Sequence, residues 1–273
     1  MKNFIDPGEL YKNINDENTV IVDCRGDLLD GNYGRSAYEK SHIPGAVFID
    51  VKKDLSSEET AHGGRNPLPD LKIFKEKLEL LGIGSETRVI AYDEQRIACA
   101  ARLCWMLRLI GHTSNFVLNG GIGKWEALGY PLIKEVPDSN RNRLELTVKE
   151  DILATMEYVR NNLNKGCLID SRTEARYLGK QELIDKKAGR IPGAINIYWK
   201  NLLNADGTAP AKERLEEVFK AVKGCENVTV YCGSGIDAAF NYMLLDEIGV
   251  KARLYLGSFS DWITYPENKI IGG

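Results

Sequence analysis

The chain has 273 residues, 43% of them hydrophobic and 27% charged, with a formal net charge of −3 at pH 7. That composition belongs to an ordinary globular protein with apolar material for two cores, at the usual ~100–200 residues per domain. The near balance of charge, with no Lys/Arg run longer than a pair, excludes the electrostatic footprint of a nucleic-acid binder or a membrane-surface protein.

The start, "MKNFIDPGEL", has no basic stretch leading into an apolar run, and no window approaches ~18 consecutive apolar residues. Neither a signal peptide nor a spanning helix is expected, and the expected compartment is the cytoplasm. The six cysteines are Cys24, Cys99, Cys104, Cys167, Cys225 and Cys232; none forms a C-x-x-C pair, and only three histidines accompany them. Ligand spacing therefore argues against a zinc site or a redox pair, and reduced thiols are expected.

In chain order, "VIVD" (Val20–Asp23) reads as a first buried strand. "LKIFKEKLELLGI" (Leu71–Ile83) places apolar residues three and four apart, as an amphipathic helix does. "VIAYD" (Val89–Asp93) is a strand, "CAARLCWMLRLIGH" (Cys99–His112) a helix, and "FVLNGG" (Phe116–Gly121) a strand ending in glycine. A polar stretch around "IKEVPDSNRNRLELT" (Ile133–Thr147) reads as a linker. The series then resumes with "LID" (Leu168–Asp170), the helical "LEEVFKAVKG" (Leu215–Gly224), "VTVYC" (Val228–Cys232) and "LYLGS" (Leu254–Ser258). Alternation of this kind predicts an α/β fold: a doubly wound, mostly parallel sheet with helices on both faces.

The second series is also a copy of the first. "VIVDCRGDL" returns as "CLIDSRTEA", "SHIPGAVFID" as "GRIPGAINIY", "RVIAYDEQRIACAARL" as "VTVYCGSGIDAAFNYM", and "LNGGIGKW" as "YLGSFSDW". Four echoes in one order mean one domain repeated: residues 1–133, a linker at 134–147, and residues 148–273. Trp125 and Trp262 fall at matching points and read as packing residues. "LNGGIGKW" lacks the spacing of a phosphate-binding loop.

The chemistry concentrates at "YCGSGIDAAF" (Tyr231–Phe240). Cys232 stands where a parallel strand ends, the place where open α/β sheets bind ligands. Gly233 and Gly235 let the loop curl, so that the backbone N–H groups of Gly233, Ser234, Gly235, Ile236 and Asp237 can face an anion. The following helix adds the positive end of its dipole. A cysteine thiolate is stabilised in such a setting and acts as a nucleophile. The other five cysteines read as structural or merely exposed.

The paired "HIPGA" and "RIPGA" blocks, "IDSRTEARYLG" and "YCGSG" together resemble the tandem-domain rhodanese family of sulfurtransferases, from about Val20 to Trp262. The family keeps its cysteine only in the second domain, and Asp93 occupies in the first copy the place of Cys232. The resemblance implies two-step covalent catalysis with no metal and no organic cofactor. Cys232 takes the outer sulfur of a small anionic donor, the loop amides hold the persulfide, and a thiol or cyanide accepts the sulfur. A monomer or weak homodimer is expected, and the resemblance assigns Arg176 to the donor's anionic group, which a guanidinium fork suits.

Several positions depart from the family. Its second donor-binding arginine is absent from "KQELIDKKAG", where Glu182 and Asp185 remain and Lys180, Lys186 or Lys187 is the candidate replacement charge. The neutral Cys-Gly-Ser-Gly start resembles members using 3-mercaptopyruvate, but Asn66 stands where those members place a histidine beside the loop serine. Thiosulfate is therefore the expected donor, with 3-mercaptopyruvate as the alternative. Asp237 is expected to turn outward and cap the next helix, since Asp is a preferred N-cap; otherwise it weakens donor binding. Arg190 is expected to pair structurally, and Tyr198 and Trp199 either line the pocket or pack in the core.

Two rivals remain. A phosphatase of related fold needs Cys-x5-Arg, whereas the sixth residue after Cys232 is Ala238. A non-enzymatic interaction or persulfide-carrier module would explain the lost donor features but not the intact Cys232 loop.

Overall fold

Short apolar runs become buried parallel strands only if neighbouring runs can lie beside them in register. The structure is a computed structural model and describes residues 1–95, 98–138 and 140–272. In the first half the strands are β1 (Phe4–Ile5), β2 (Thr19–Asp23), β3 (Val47–Phe48), β4 (Arg88–Tyr92) and β5 (Asn115–Leu118), ordered β1-β5-β4-β2-β3. In the second half they are β6 (Leu153–Ala154), β7 (Cys167–Asp170), β8 (Ala194–Asn196), β9 (Val228–Tyr231) and β10 (Ala252–Tyr255), ordered β6-β10-β9-β7-β8. Both sheets are parallel, and the central pairs match residue for residue: Asp23 lies opposite Tyr92, and Asp170 opposite Tyr231.

Helices connect the strands as the apolar spacing predicts. The two expected in the first half span Leu71–Leu80 and Cys99–Leu109. Asp70 caps the first of these, its carboxylate accepting from Lys72 N and Ile73 N. The expected helix at 215–224 instead begins at Lys212, ends at Val218 and passes into a 3-10 turn, Lys220–Val222. No described helix is long and apolar enough to cross a membrane.

The chain gathers into two compact units, each completed by a short segment from the other half of the sequence. Residues 58–68 belong to the second unit and 204–209 to the first. The stretch read as a linker lies with the first unit: Leu144 is buried, its N–H bonds Glu79 Oε1 at 3.0 Å, and Thr147 N bonds Ile110 O at 3.0 Å. Each unit has its own core, with Trp125 among Ile5, Leu10, Ile90 and Leu118 in one, and Trp262 among Met156, Ile191, Tyr255 and Phe259 in the other. Both indoles donate to a carbonyl, Pro131 O and Lys269 O, each at 2.9 Å.

The echoed motifs meet at one buried junction in each unit. Asp170, at the end of β7, accepts from Arg172 Nη2 at 2.6 Å, and the same guanidinium nitrogen reaches Gly189 O at 2.7 Å, just before the Ile-Pro-Gly-Ala block. Ile191 N of that block bonds the hydroxyl of Tyr231, the last residue of β9. The first unit repeats this with Asp23, Arg25, Ser41 O, Ile43 N and Tyr92. A buried ion pair is better tolerated when its donors find further partners, and Arg172 Nη2 finds one in Gly189 O, on the connection between strands. Four separate sequence echoes are thus one structural unit seen twice.

The cysteines depart from expectation at one pair. Cys167 opens β7, and Cys225 lies just before β9, the strand beside it; the two are joined by a disulfide with Cα atoms 6.1 Å apart. Their 58-residue separation hid a neighbour relation that only the sheet order creates. Cys24, Cys99, Cys104 and Cys232 are buried and outside the disulfide.

Replacing Asp170 with Ala leaves Arg172 buried without its main partner. Breaking such a pair costs ~3–5 kcal/mol, which urea unfolding of the Asp170→Ala variant should register. A loss of under about 1 kcal/mol, the scale of an exposed pair, would show the junction to be dispensable.

Candidate active site

β9 ends at Tyr231 and the next helix spans Ala238–Glu247, so the six residues 232–237 form a tight loop at the carboxyl end of the sheet. Gly235 adopts φ +76°, and a Cβ there would lie 2.1 Å from Leu256 O, so only glycine closes this turn. Its N–H points at Cys232 Sγ at 3.1 Å. The Cys232 side chain is thereby aimed into the curl, beneath the positive end of the following helix. Cys232 is buried, at 3% exposure.

Gly257 and the start of the helix Ser258–Trp262, just after β10, support the cysteine from the other side. Ser258 Oγ accepts the Cys232 N–H at 3.1 Å, donates to Tyr255 O at 2.9 Å, and lies 3.9 Å from Cys232 Sγ. Phe259 N bonds Cys232 O, and Ser260 N bonds Gly233 O. Ser258 holds φ +57°, a left-handed conformation that costs energy for a residue with a side chain. At the same point of the first unit stands Gly121, with the same φ of +57°. Ser258 was absent from the sequence-derived site. Its signal lay in the echo "LNGG"/"YLGS", where a glycine is exchanged for a hydroxyl residue.

Two guanidinium groups stand over Gly233. A Cβ on that residue would come 3.0 Å from Arg65 Nη2, 3.2 Å from Arg176 Nη2 and 3.3 Å from Arg176 Nη1. Arg176 is held by Glu182, Nε to Oε2 at 2.9 Å, and by Asp185, Nη2 to Oδ2 at 2.6 Å. Arg65 Nη1 pairs with the other oxygen of Asp185. Glu182 shapes the turn that carries Asp185, since its Oε1 accepts from Ile184 N and Asp185 N. Burial, and then the facing Arg176 cation, lower the Arg65 pKa from its usual value. An anion placed between the two cations would relieve that repulsion.

Lys180, Lys186 and Lys187, the expected candidates, are exposed, while the cation beside Arg176 over Gly233 is Arg65. It was missed because it lies more than a hundred positions earlier in the chain, next to Asn66 in "GGRNPLPD". Asn66 itself is buried and donates from Nδ2 to Ser234 Oγ at 2.7 Å. The loop serine thus has a partner, an amide where a histidine was looked for.

Asp237 differs from expectation. It occupies the N-cap position but with helical φ −65° and ψ −31°, and its side chain makes no cap hydrogen bond. An effective cap has an extended backbone that swings its oxygen over the first N–H groups, which this conformation prevents. The carboxylate's charge instead reaches Tyr198, whose phenol is pushed up by burial first and by Asp237 second. Trp199 is buried against Phe240, with ring centres 5.3 Å apart, and is a core residue. Arg190 stacks over Tyr177 at 4.5 Å and is a structural residue, as expected.

The matching loop of the first unit carries Asp93 after β4. Its Oδ1 accepts from Gln95 N and its Oδ2 from Ala100 N, each at 2.9 Å. Burial pushes this carboxyl up to about 6. The chain's own carboxylate takes amide donors of that loop. Arg96 and Ile97 lie outside the described residues.

Comparison with known proteins shows the family of the chain. The rhodanese-like domain family matches residues 6–128 and again 155–265. A protein of Pseudomonas aeruginosa named "Probable 3-mercaptopyruvate sulfurtransferase" is 32% identical over 97% of this chain and 96% of its own length. A thiosulfate sulfurtransferase of the same organism is 29% identical over the same shares. Among solved structures, SseA from Escherichia coli, described as a 3-mercaptopyruvate sulfotransferase, superposes with a TM-score of 0.83 at 27% identity, covering 95% of this chain and all of that one. With two matched domains spanning most of its length, this chain belongs to the rhodanese-like family.

Proposed function

We propose that this protein is a sulfurtransferase that carries sulfane sulfur on Cys232, with thiosulfate as donor and cyanide or a thiol as acceptor. The observation that carries the reading is the juxtaposition at the loop: Sγ aimed at the Gly235 N–H, with guanidinium groups standing over Gly233. A nucleophile, an anion-stabilising amide and cations for a charged donor are what sulfur transfer requires.

The Cys232 thiolate attacks the outer sulfur of thiosulfate. A new S–S bond forms on Cys232, the donor's own S–S bond breaks, and its electron pair leaves with sulfite. Arg176 holds the departing oxygens, and the loop amides from Gly233 to Asp237 stabilise the charge on sulfur. Cyanide or a thiolate then attacks the outer persulfide sulfur, and the electron pair of the S–S bond returns to Cys232. Ser258 acts through the Cys232 backbone, holding the residue so that Sγ meets Gly235. We assign this chemistry to the second domain, 148–273, and read the first, 1–133, as a scaffold, because Asp93 has no sulfur to load.

3-Mercaptopyruvate is the second reading. It is favoured by the Asn66–Ser234 hydrogen bond, which fixes a hydroxyl next to the nucleophile, and by the name of the Pseudomonas relative. In that case the donor's C–S bond breaks and its electron pair passes to the enolate of pyruvate, which takes a proton from solvent. The first reading rests on Asn66 itself, which lacks the acid–base capacity of a histidine.

Steady-state rates with each donor test this. Cys232→Ser should abolish turnover with both, and Arg176→Gln should lower kcat/KM for the donor by about 10–100-fold through KM, the scale of lost hydrogen bonds to a charged group. Activity that survives in Cys232→Ser removes the proposed nucleophile, and a higher kcat/KM for 3-mercaptopyruvate than for thiosulfate selects the second donor. Ser258→Gly should lower kcat about tenfold, the equivalent of one hydrogen bond. Its melting temperature should change little, because glycine relieves the left-handed φ as the bond is lost. Unchanged kcat would show that the hydroxyl does not position Cys232.

A further inference from the structure

We infer that Arg65 is the second donor-binding guanidinium of this site: with Arg176 it forms a two-pronged clamp on the donor's anionic head, so the segment 58–68 from the first half of the sequence supplies part of the catalytic apparatus. The inference rests on the sulfur-transfer reading for its substrate but not for its chemistry, which is the recognition of a small oxyanion bonded to an electrophilic atom.

The argument begins with placement. Arg65 and Arg176 come from distant parts of the chain yet converge on one point, the face of Gly233, the residue next to the nucleophile. They are fixed there by a shared carboxylate: Asp185 gives one oxygen to each arginine, and its side chain is fully buried. Asp185 divides its two oxygens between the two arginines and cannot move without releasing both. The backbone of the segment is fastened as well. Arg65 N bonds Ser260 Oγ at 3.1 Å, and Gly63 N bonds Asp261 Oδ1 at 2.7 Å. A Cβ on Gly64 would lie 2.3 Å from Gly257 O, so the segment passes in close contact with the start of the helix that carries Ser258.

A purely structural arginine would be expected to bury its charge against carboxylates and turn from other cations. Arg65 does the reverse with part of its fork. One nitrogen satisfies Asp185, while the other is aimed at Gly233 beside the nitrogens of Arg176. Like charges so placed repel, and the arrangement becomes favourable when a doubly charged donor head lies between them. A side chain at position 233 would occupy that space. The clamp also separates donor classes by charge: the dianionic thiosulfate gains more from a second cation than the singly charged 3-mercaptopyruvate.

The test uses the full chain and its Arg65→Gln and Arg65→Lys variants in two assays. The first measures kcat and KM with thiosulfate and with 3-mercaptopyruvate. Arg65→Gln should lower kcat/KM for thiosulfate by about 10–100-fold, chiefly through KM, with a smaller loss for 3-mercaptopyruvate and partial recovery in Arg65→Lys. The second measures alkylation of Cys232 by iodoacetate, an anion, and by iodoacetamide, which is neutral; in each the thiolate displaces iodide. Arg65→Gln should slow the reaction with iodoacetate and leave that with iodoacetamide unchanged. Equal slowing by both reagents would make Arg65 a structural support, and unchanged rates with iodoacetate would remove it from the site. The alkylation assay needs no sulfur transfer, so it decides the role of Arg65 even if neither donor is turned over.

Discussion

Asp185 is the contact on which the site depends. A single buried carboxylate divides its two oxygens between Arg176 and Arg65 and so converts two long, flexible side chains into one fixed surface above Gly233. Glu182 sets the turn from which Asp185 projects, and it also lies 3.5 Å from Arg172, whose guanidinium is locked to Asp170 at the end of β7. Charge alternates from the sheet outward: Asp170, Arg172, Glu182, Arg176, Asp185, Arg65. Each member lies against one of opposite sign, which helps to keep ionised groups buried. The rigidity of the sheet is carried by this chain to the place where an anion would bind.

The proposed nucleophile is supported by a different device. Cys232 is held from below by backbone geometry: a glycine turn that only Gly235 can make, and a serine at position 258 that keeps a left-handed conformation for the sake of its hydroxyl. The first unit shows what the same backbone does without that function. At the equivalent points it has Gly121 for Ser258 and Asp93 for Cys232, and the carboxylate accepts from the amides of Gln95 and Ala100. Fold and function are therefore separable in this chain. The Asp–Arg–Tyr junction is present in both units, while the cation pair over the loop and the loop cysteine belong to the second.

Much of this was legible in the sequence because it is local. Strand, loop and helix around Cys232 follow from a short apolar run, two glycines and a small-residue helix, all within a few positions. The repeat gave the domain organisation, and Arg176 came from the family resemblance. What stayed hidden needed the folded chain. Arg65 reaches Asp185 across 120 positions, Asn66 reaches Ser234 across 168, and Cys167 meets Cys225 only because β7 and β9 are neighbours in the sheet. Asp237 was misjudged for another reason: residue type predicts a cap, but the backbone angles of the loop decide where the carboxylate points.

The central claim is that Cys232 carries the transferred sulfur. The direct measurement is the intact mass of the protein after incubation with thiosulfate, read before and after addition of cyanide. The account predicts a gain of one sulfur atom per chain that cyanide removes and that Cys232→Ser never acquires. No gain with thiosulfate or with 3-mercaptopyruvate, or a gain that persists in Cys232→Ser, would contradict it.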